Sequence, residues 1–240
     1  MPSPLNSGCS RRSPDRDAAL AAFAFVAALV AGRGLDARAE PVPSPGNEPA
    51  QWRSLFDGAG LGEWRPTAFG GGGEIAVAAG VIRIPMGADM SGITWAGDHP
   101  RQSYEIALQA RRVDGSDFFC GLTFPVGDDC CSLIVGGWGG GLVGLSSIDG
   151  QDAANNATTK VMSFDNGRWY DVKVRVTPER IECFLDGEPV VDQPLQDRII
   201  SVRDEVIPSK PLGIATFATT AEVRDIRWRP IVSPTGAAAP

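Results

Sequence analysis

The stretch Arg180-Ile181-Glu182-Cys183-Phe184-Leu185-Asp186-Gly187-Glu188-Pro189-Val190-Val191 decides the fold class. Ile181, Cys183 and Leu185 fall on alternate positions, so an extended chain here has one apolar face. Asp186-Gly187 then supplies two residues that accept positive φ. A type I′ turn demands that of both central positions, and its twist matches that of paired strands. The unit reads as a β-hairpin. The same two-residue period recurs at Tyr104–Arg111 and at Tyr170–Val176, where Trp169, at the entry to the strand, reads as a core residue. Glu74–Val77 and Val81–Pro85 flank an Ala-Gly turn, and Phe118–Phe124 and Cys131–Val135 flank Pro125-Val126-Gly127-Asp128-Asp129. Leu212–Phe217 and Glu222–Arg229 read as a further pair around Ala218-Thr219-Thr220-Ala221, while Ile199–Val206 fits either a short helix or a strand. No apolar helical period is sustained after the first forty residues. With 29 Gly and 19 Pro punctuating short strands, the chain is expected to be all-β, a sandwich or jelly roll.

Residues 1–39 read as a secretory signal. Arg11, Arg12 and Arg16 precede an apolar run from Ala18 to Ala31, and Ala37-Arg38-Ala39 offers a small-x-small cleavage site. The run is shorter than the ~20 residues a membrane-spanning helix needs, so no stable membrane insertion is expected after cleavage, and the location is expected to be secreted or periplasmic. Residues 40–50, with Pro41, Pro43 and Pro45, read as a linker, 51–230 as the folded domain and 231–240 as a tail. Cleavage after Ala39 removes five Arg and three Asp, leaving 17 basic and 26 acidic side chains and a net charge of −9. Such a balance disfavours nucleic acid as a partner.

Four cysteines remain after cleavage: Cys120, Cys130, Cys131 and Cys183. Export permits disulfides. A hairpin centred on residues 125–129 sets Cys120 opposite residues near Leu133, so a Cys120–Cys130 bridge needs a shifted register. A bridge between Cys130 and Cys131 would be strained. Cys183 reads equally well as a buried free thiol. The pairing stays open.

Several landmarks carry a resemblance. Leu55-Phe56-Asp57-Gly58 leads to Leu61 and Trp64; Tyr104-Glu105-Ile106-Ala107-Leu108 leads to Arg111; Gly167-Arg168-Trp169-Tyr170 enters a strand; Phe184-Leu185-Asp186-Gly187, Pro211-Leu212-Gly213-Ile214 and Val223-Arg224-Asp225-Ile226 follow in order. In this the chain resembles the 3-keto-disaccharide hydrolase family from about Trp52 to Arg229. The resemblance implies a two-sheet jelly-roll β-sandwich of concanavalin/laminin-G type. It also implies a carbohydrate partner and chemistry on sugars oxidised at C3. The ketone acidifies the C2 proton, a base removes it, the group on C1 leaves, and water adds across the new double bond. That needs a base, an electrophile or metal, and an acid for the leaving oxygen. Where the family carries Asn-Ser-Gly after the strand Arg, this chain has Ser116-Asp117-Phe118-Phe119-Cys120-Gly121, so only Arg111 and Gly121 keep their places. The non-catalytic alternative is a lectin-like carbohydrate-binding module on the same scaffold.

The candidate catalytic residues are Arg111, Asp117 and Asp149, with Trp138, Asp152 and Asn155 as candidate substrate contacts. Arg111 has the forked donor geometry that suits a hydroxyl or keto oxygen. Trp138, set in Gly136-Gly137-Trp138-Gly139-Gly140-Gly141, has too few neighbouring side chains to bury it. Asp117, Asp128 and Asp129, and separately Asp149, Asp152, Asn155 and Asn156, gather oxygens that a divalent cation such as Ca²⁺ would accept. Their spacing matches no calcium loop, so cofactor and metal remain unassigned. His99, the single histidine, lies in a loop and reads as exposed. The enzymatic reading requires a carboxylate or histidine beside Arg111 in a cleft.

Overall fold

The computed structural model describes residues 50–232. The expected signal 1–39, nearly all of the linker and most of the tail lie outside the described residues. Fifteen strands follow in chain order: β1 (Arg53–Ser54), β2 (Trp64–Pro66), β3 (Ala76–Ala78), β4 (Val81–Ile84), β5 (Met90–Trp95), β6 (Tyr104–Gly115), β7 (Cys120–Val126), β8 (Asp129–Gly137), β9 (Leu142–Ser146), β10 (Lys160–Val161), β11 (Tyr170–Val176), β12 (Arg180–Leu185), β13 (Glu188–Pro194), β14 (Gly213–Phe217) and β15 (Thr219–Pro230). One sheet runs β13-β12-β11-β6-β15-β4-β3 with β1 against β15, and the other runs β10-β9-β8-β7-β14-β5-β2. All pairings are antiparallel. The two sheets stack as a jelly-roll sandwich. The alternating side chains explain why: Ile181, Cys183 and Leu185 of β12, Val172, Val174 and Val176 of β11, and Leu122 and Phe124 of β7 are all buried in one core.

The hairpin at Asp186-Gly187 forms as the sequence dictates, with φ of 50° and 83° at the two turn residues. Two expectations are corrected. Residues 212–217 and 222–229 do not pair: β14 lies between β7 and β5, whereas β15 lies between β6 and β4. Ala218, at φ 45°, turns the chain from one sheet into the other. Trp169 is not core. The period-2 pattern sends Tyr170, Val172 and Val174 inward, and Trp169 lies half-buried, its ring between the guanidinium groups of Arg111 (4.6 Å) and Arg224 (4.1 Å). The segment left open, Ile199–Val206, divides: Ile200 forms an isolated bridge with Ile148, and Asp204–Val206 enters a 3₁₀ helix, Asp204–Ser209, whose N-cap Arg203 makes no side-chain capping bond.

In the β7–β8 hairpin Leu122 pairs with Leu133 and Cys120 with Val135. All four described cysteines are free and buried. Burial pushes the Cys120 and Cys131 thiols up to about 12, so neither forms a thiolate at neutral pH. Native protein at pH 8 is therefore expected to leave a thiol reagent such as DTNB unreacted over minutes, and to react at all four positions once unfolded. Fast reaction of the native chain at even one of them would show the core to be open there.

Candidate carbohydrate cleft on the second sheet

On the outer face of the second sheet, Gly121 of β7 pairs with Ala215 of β14 on one side and Ile134 of β8 on the other. Larger groups stand over this face. They enclose a cleft of about 300 Å³ lined by Met90, Phe118, Ile134, Val206 and Phe217, together with Trp138, Ser146, Asp117, Arg203 and Glu205. Phe118 and Phe217 stack with ring centres 6.1 Å apart. Gly121 makes room for this: a Cβ there would meet the Phe118 ring at 3.0 Å.

Trp138 stands at the mouth, 45% exposed, on a backbone with φ 48°. A bulky residue in that region is strained and must be held by its surroundings. Two side chains hold it. Asp117 Oδ2 accepts from the N–H of Gly139 (2.9 Å), which fastens the turn, while its Oδ1 accepts from the N–H of Phe118 (2.8 Å) and fixes the carboxylate. From the core side, Arg112 donates to the carbonyls of Gly136 (3.2 Å) and Gly140 (2.9 Å).

The polar wall comes from the 3₁₀ segment. Arg203 donates from Nη2 to Glu205 (2.7 Å) and from Nη1 to Asp152 (3.0 Å). The Arg203 hydrogen bond, followed by a backbone bond, holds the Glu205 carboxyl below its ordinary range, so it is an anion and a weakened base at neutral pH. Ser146 is 1% exposed and lines the cleft, and its Oγ has no protein partner. A buried hydroxyl without a partner is uncommon, and a ligand oxygen in the cleft would satisfy it.

The sequence-proposed residues thus fall in four places. Asp117 and Trp138 meet at the cleft. Asp152 is joined to it through Arg203, and Asn155 through its bond to Asp152 Oδ1 (2.7 Å). Asp149 lies apart: it accepts from Arg198 Nη1 (2.7 Å) and Ile199 N–H (2.9 Å), and the Ile199 bond, then the Arg198 bond, holds its carboxyl below the usual range. Arg111 belongs to the first sheet, where its Nε donates to Glu222 (2.8 Å) and its guanidinium stacks on Trp169. It has its carboxylate but lines none of the described cavities. Arg203, Glu205 and Ser146 were missed by sequence reasoning; the only signal was an acidic pair, Asp204-Glu205, shortly before Pro208.

A divalent cation does not fit these donors. The oxygens of Asp117, Asp149 and Asp152 are already directed at arginines, backbone N–H groups and Asn155. Among the described residues no three His, Cys, Asp or Glu side chains gather as ligands. His99 lines a separate polar hollow with Glu63 and Arg101.

Two stacked antiparallel sheets with an exposed aromatic at the mouth of a cleft define a jelly-roll domain. Residues 51–229 match the 3-keto-alpha-glucoside-1,2-lyase-like domain, and the chain belongs to that family. Solved structures agree on the fold. The carbohydrate-binding module CBM66 from Bacillus subtilis aligns at 15% identity and TM-score 0.50, over 70% of this chain and 95% of that one. The Crh5 transglycosylase aligns at 12% identity and TM-score 0.53, over 78% and 86%. A Bacillus subtilis protein of unknown function with a galectin-like fold aligns at 11% and 0.52, over 76% and 96%. No curated protein matches the chain.

Proposed function

We propose that this is an exported domain that binds a carbohydrate in the cleft of the second sheet. The single observation that carries this reading is Trp138, held exposed at positive φ by Asp117 and Arg112 beside a cavity with an unpartnered hydroxyl. An indole face packs against the C–H face of a sugar ring while Ser146, Arg203 and Glu205 meet its hydroxyls. Binding rather than turnover is favoured because the carboxylates at the cleft are tied to arginine or to backbone N–H groups, which makes them poor bases for a C–H proton.

A second reading keeps the family's reaction on 3-keto-glycosides. Its support is that Glu205 and Arg203 line one cavity. In it, Glu205 takes the C2 proton, that electron pair forms the C1–C2 double bond, the bond from C1 to the aglycone oxygen breaks, and that oxygen takes the proton back from Glu205, which returns to the carboxylate. Arg203 holds the negative charge that develops on the C3 oxygen.

One pair of assays separates the two. Titration with neutral glycans is expected to show saturable binding that Trp138→Ala weakens about tenfold or more. Incubation with an aryl 3-keto-glucoside is expected to release no aglycone above the uncatalysed rate. Release that Glu205→Gln abolishes would establish the second reading, and absence of both binding and release would overturn both.

A further inference from the structure

The outer face of the first sheet carries a second groove, on the opposite sheet from the cleft. Across it the strands align side chains in rows. One row runs Glu182, Arg175, Glu105, Arg229, and the next Phe184, Lys173, Ala107, Arg227. In the first of these rows every charge is matched: Arg229 Nε donates to Glu105 at 2.7 Å and Arg175 lies 3.7 Å from Glu182. The second row is different. Its centre is Ala107, the smallest side chain on it, flanked by two cations and no carboxylate. Neither Lys173 nor Arg227 forms an ion pair or hydrogen bond among the described residues. Each is instead held over a ring, Lys173 Nζ at 4.2 Å from Phe184 and Arg227 at 5.2 Å from Trp52.

The hollow above Ala107 has a volume of about 340 Å³, and both rings line it. Its shape depends on a bulge in β15. Between Arg224, opposite Gln109, and Arg227, opposite Ala107, the strand carries one extra residue, and Asp225 takes φ 54°. An extra residue in a central strand with a non-glycine at positive φ is the kind of irregularity that functional sites retain. Two carboxylates also line the hollow: Asp171 accepts from Gln109 Nε2 at 2.8 Å, and Asp225 lies 3.9 Å from Arg224 Nε.

We propose that this groove is a second carbohydrate site, selective for an acidic sugar such as a hexuronate, whose carboxylate lies over Ala107 between Lys173 and Arg227. Adjacent strands stand ~4.8 Å apart, so two long side chains one strand to either side of Ala107 reach a single anion there by swinging inward from Phe184 and Trp52. The polar groups Gln109, Asp171 and Asp225 border the same hollow and suit the ring hydroxyls, while Trp52 and Phe184 supply apolar faces. The acidic balance of the whole chain does not prevent this. At physiological salt, charges beyond roughly 8 Å are screened, and of the charged groups lining the hollow the two carboxylates already have partners whereas Lys173 and Arg227 have no anion. The groove shares no residue with the cleft, so the two readings stand or fall separately.

The test is calorimetric titration of the full chain with trigalacturonate, with a neutral trigalactoside and with oligoglutamate. Trigalacturonate is expected to bind more tightly than either control, and to weaken with added salt. Lys173→Gln and Arg227→Gln should each weaken it about tenfold, Ala107→Leu should abolish it by filling the floor, and Trp138→Ala should leave it unchanged. No binding of trigalacturonate overturns the proposal. So does equal binding of the neutral sugar or of oligoglutamate, or loss of binding in Trp138→Ala. If Ala107→Leu does not fold, the two surface charge variants decide alone.

Discussion

Trp64→Ala is expected to lower the stability of the domain by about 4 kcal/mol. Trp64 is fully buried, its ring meets Trp95 edge-on at 5.2 Å, and its indole N–H donates to the Leu55 carbonyl at 2.9 Å. Truncation removes a whole aromatic side chain from a close-packed core and leaves that carbonyl without its donor. The effect explains the opening motif. Asp57 Oδ1 accepts from the N–H groups of Ala59 (2.8 Å) and Gly60 (3.2 Å), which curls residues 57–60 so that Leu55 and Trp64 return to the same place. For a domain of this size the expected fall in Tm is roughly 8–16 °C. Trp64→Phe, which keeps most of the packing and loses the N–H, should cost about 1–2 kcal/mol. Urea unfolding of both variants checks this, and a loss below about 1 kcal/mol in Trp64→Ala would show that the motif does not anchor the core.

Arg112→Met is expected to cost about 3 kcal/mol and to weaken glycan binding at the cleft as well. Arg112 is 6% exposed, has no ion pair among the described residues, and lies over the Phe119 ring at 5.3 Å. Burial lowers its pKa, with the neighbouring Asp117 carboxylate acting in the opposite direction. A cation is kept there because two carbonyls of the Gly-Trp-Gly turn have it as a donor. Methionine keeps the aliphatic packing but no donor, so those carbonyls lose their partner in a buried site. Trp138 then loses the support that holds its positive φ. Urea unfolding gives the stability term, and titration with a neutral glycan gives the other. Unchanged affinity in a variant that is destabilised would mean that Asp117 alone positions Trp138. Unchanged stability would mean that water satisfies both carbonyls.

Some of this was legible in the residues and some was not. The Asp186-Gly187 hairpin was legible because the turn is local: two adjacent residues carry both the required φ values. Asp117 and Trp138 could be nominated because a glycine run and a departure from the family pattern mark them. Trp169 was misplaced by one position, which in a strand is a change of face, and only the burial of Tyr170 settles which face is inward. Arg203 and Glu205 belong to a short 3₁₀ turn with no period to read, and they matter only because that turn folds against the second sheet.

The sequence by itself determined that the domain is all-β, where the β3–β4, β7–β8 and β12–β13 hairpins turn, and which family it resembles, since these depend on alternation and turn chemistry between near neighbours. Only the tertiary structure decided that β14 and β15 belong to different sheets, that Arg111 and Asp117 lie on different ones, and that Arg203, Glu205 and Ser146 share a cleft with Trp138. Those are long-range meetings, made by the stacking of two sheets to bury one core, and no local pattern encodes which outward-facing side chains that stacking brings together.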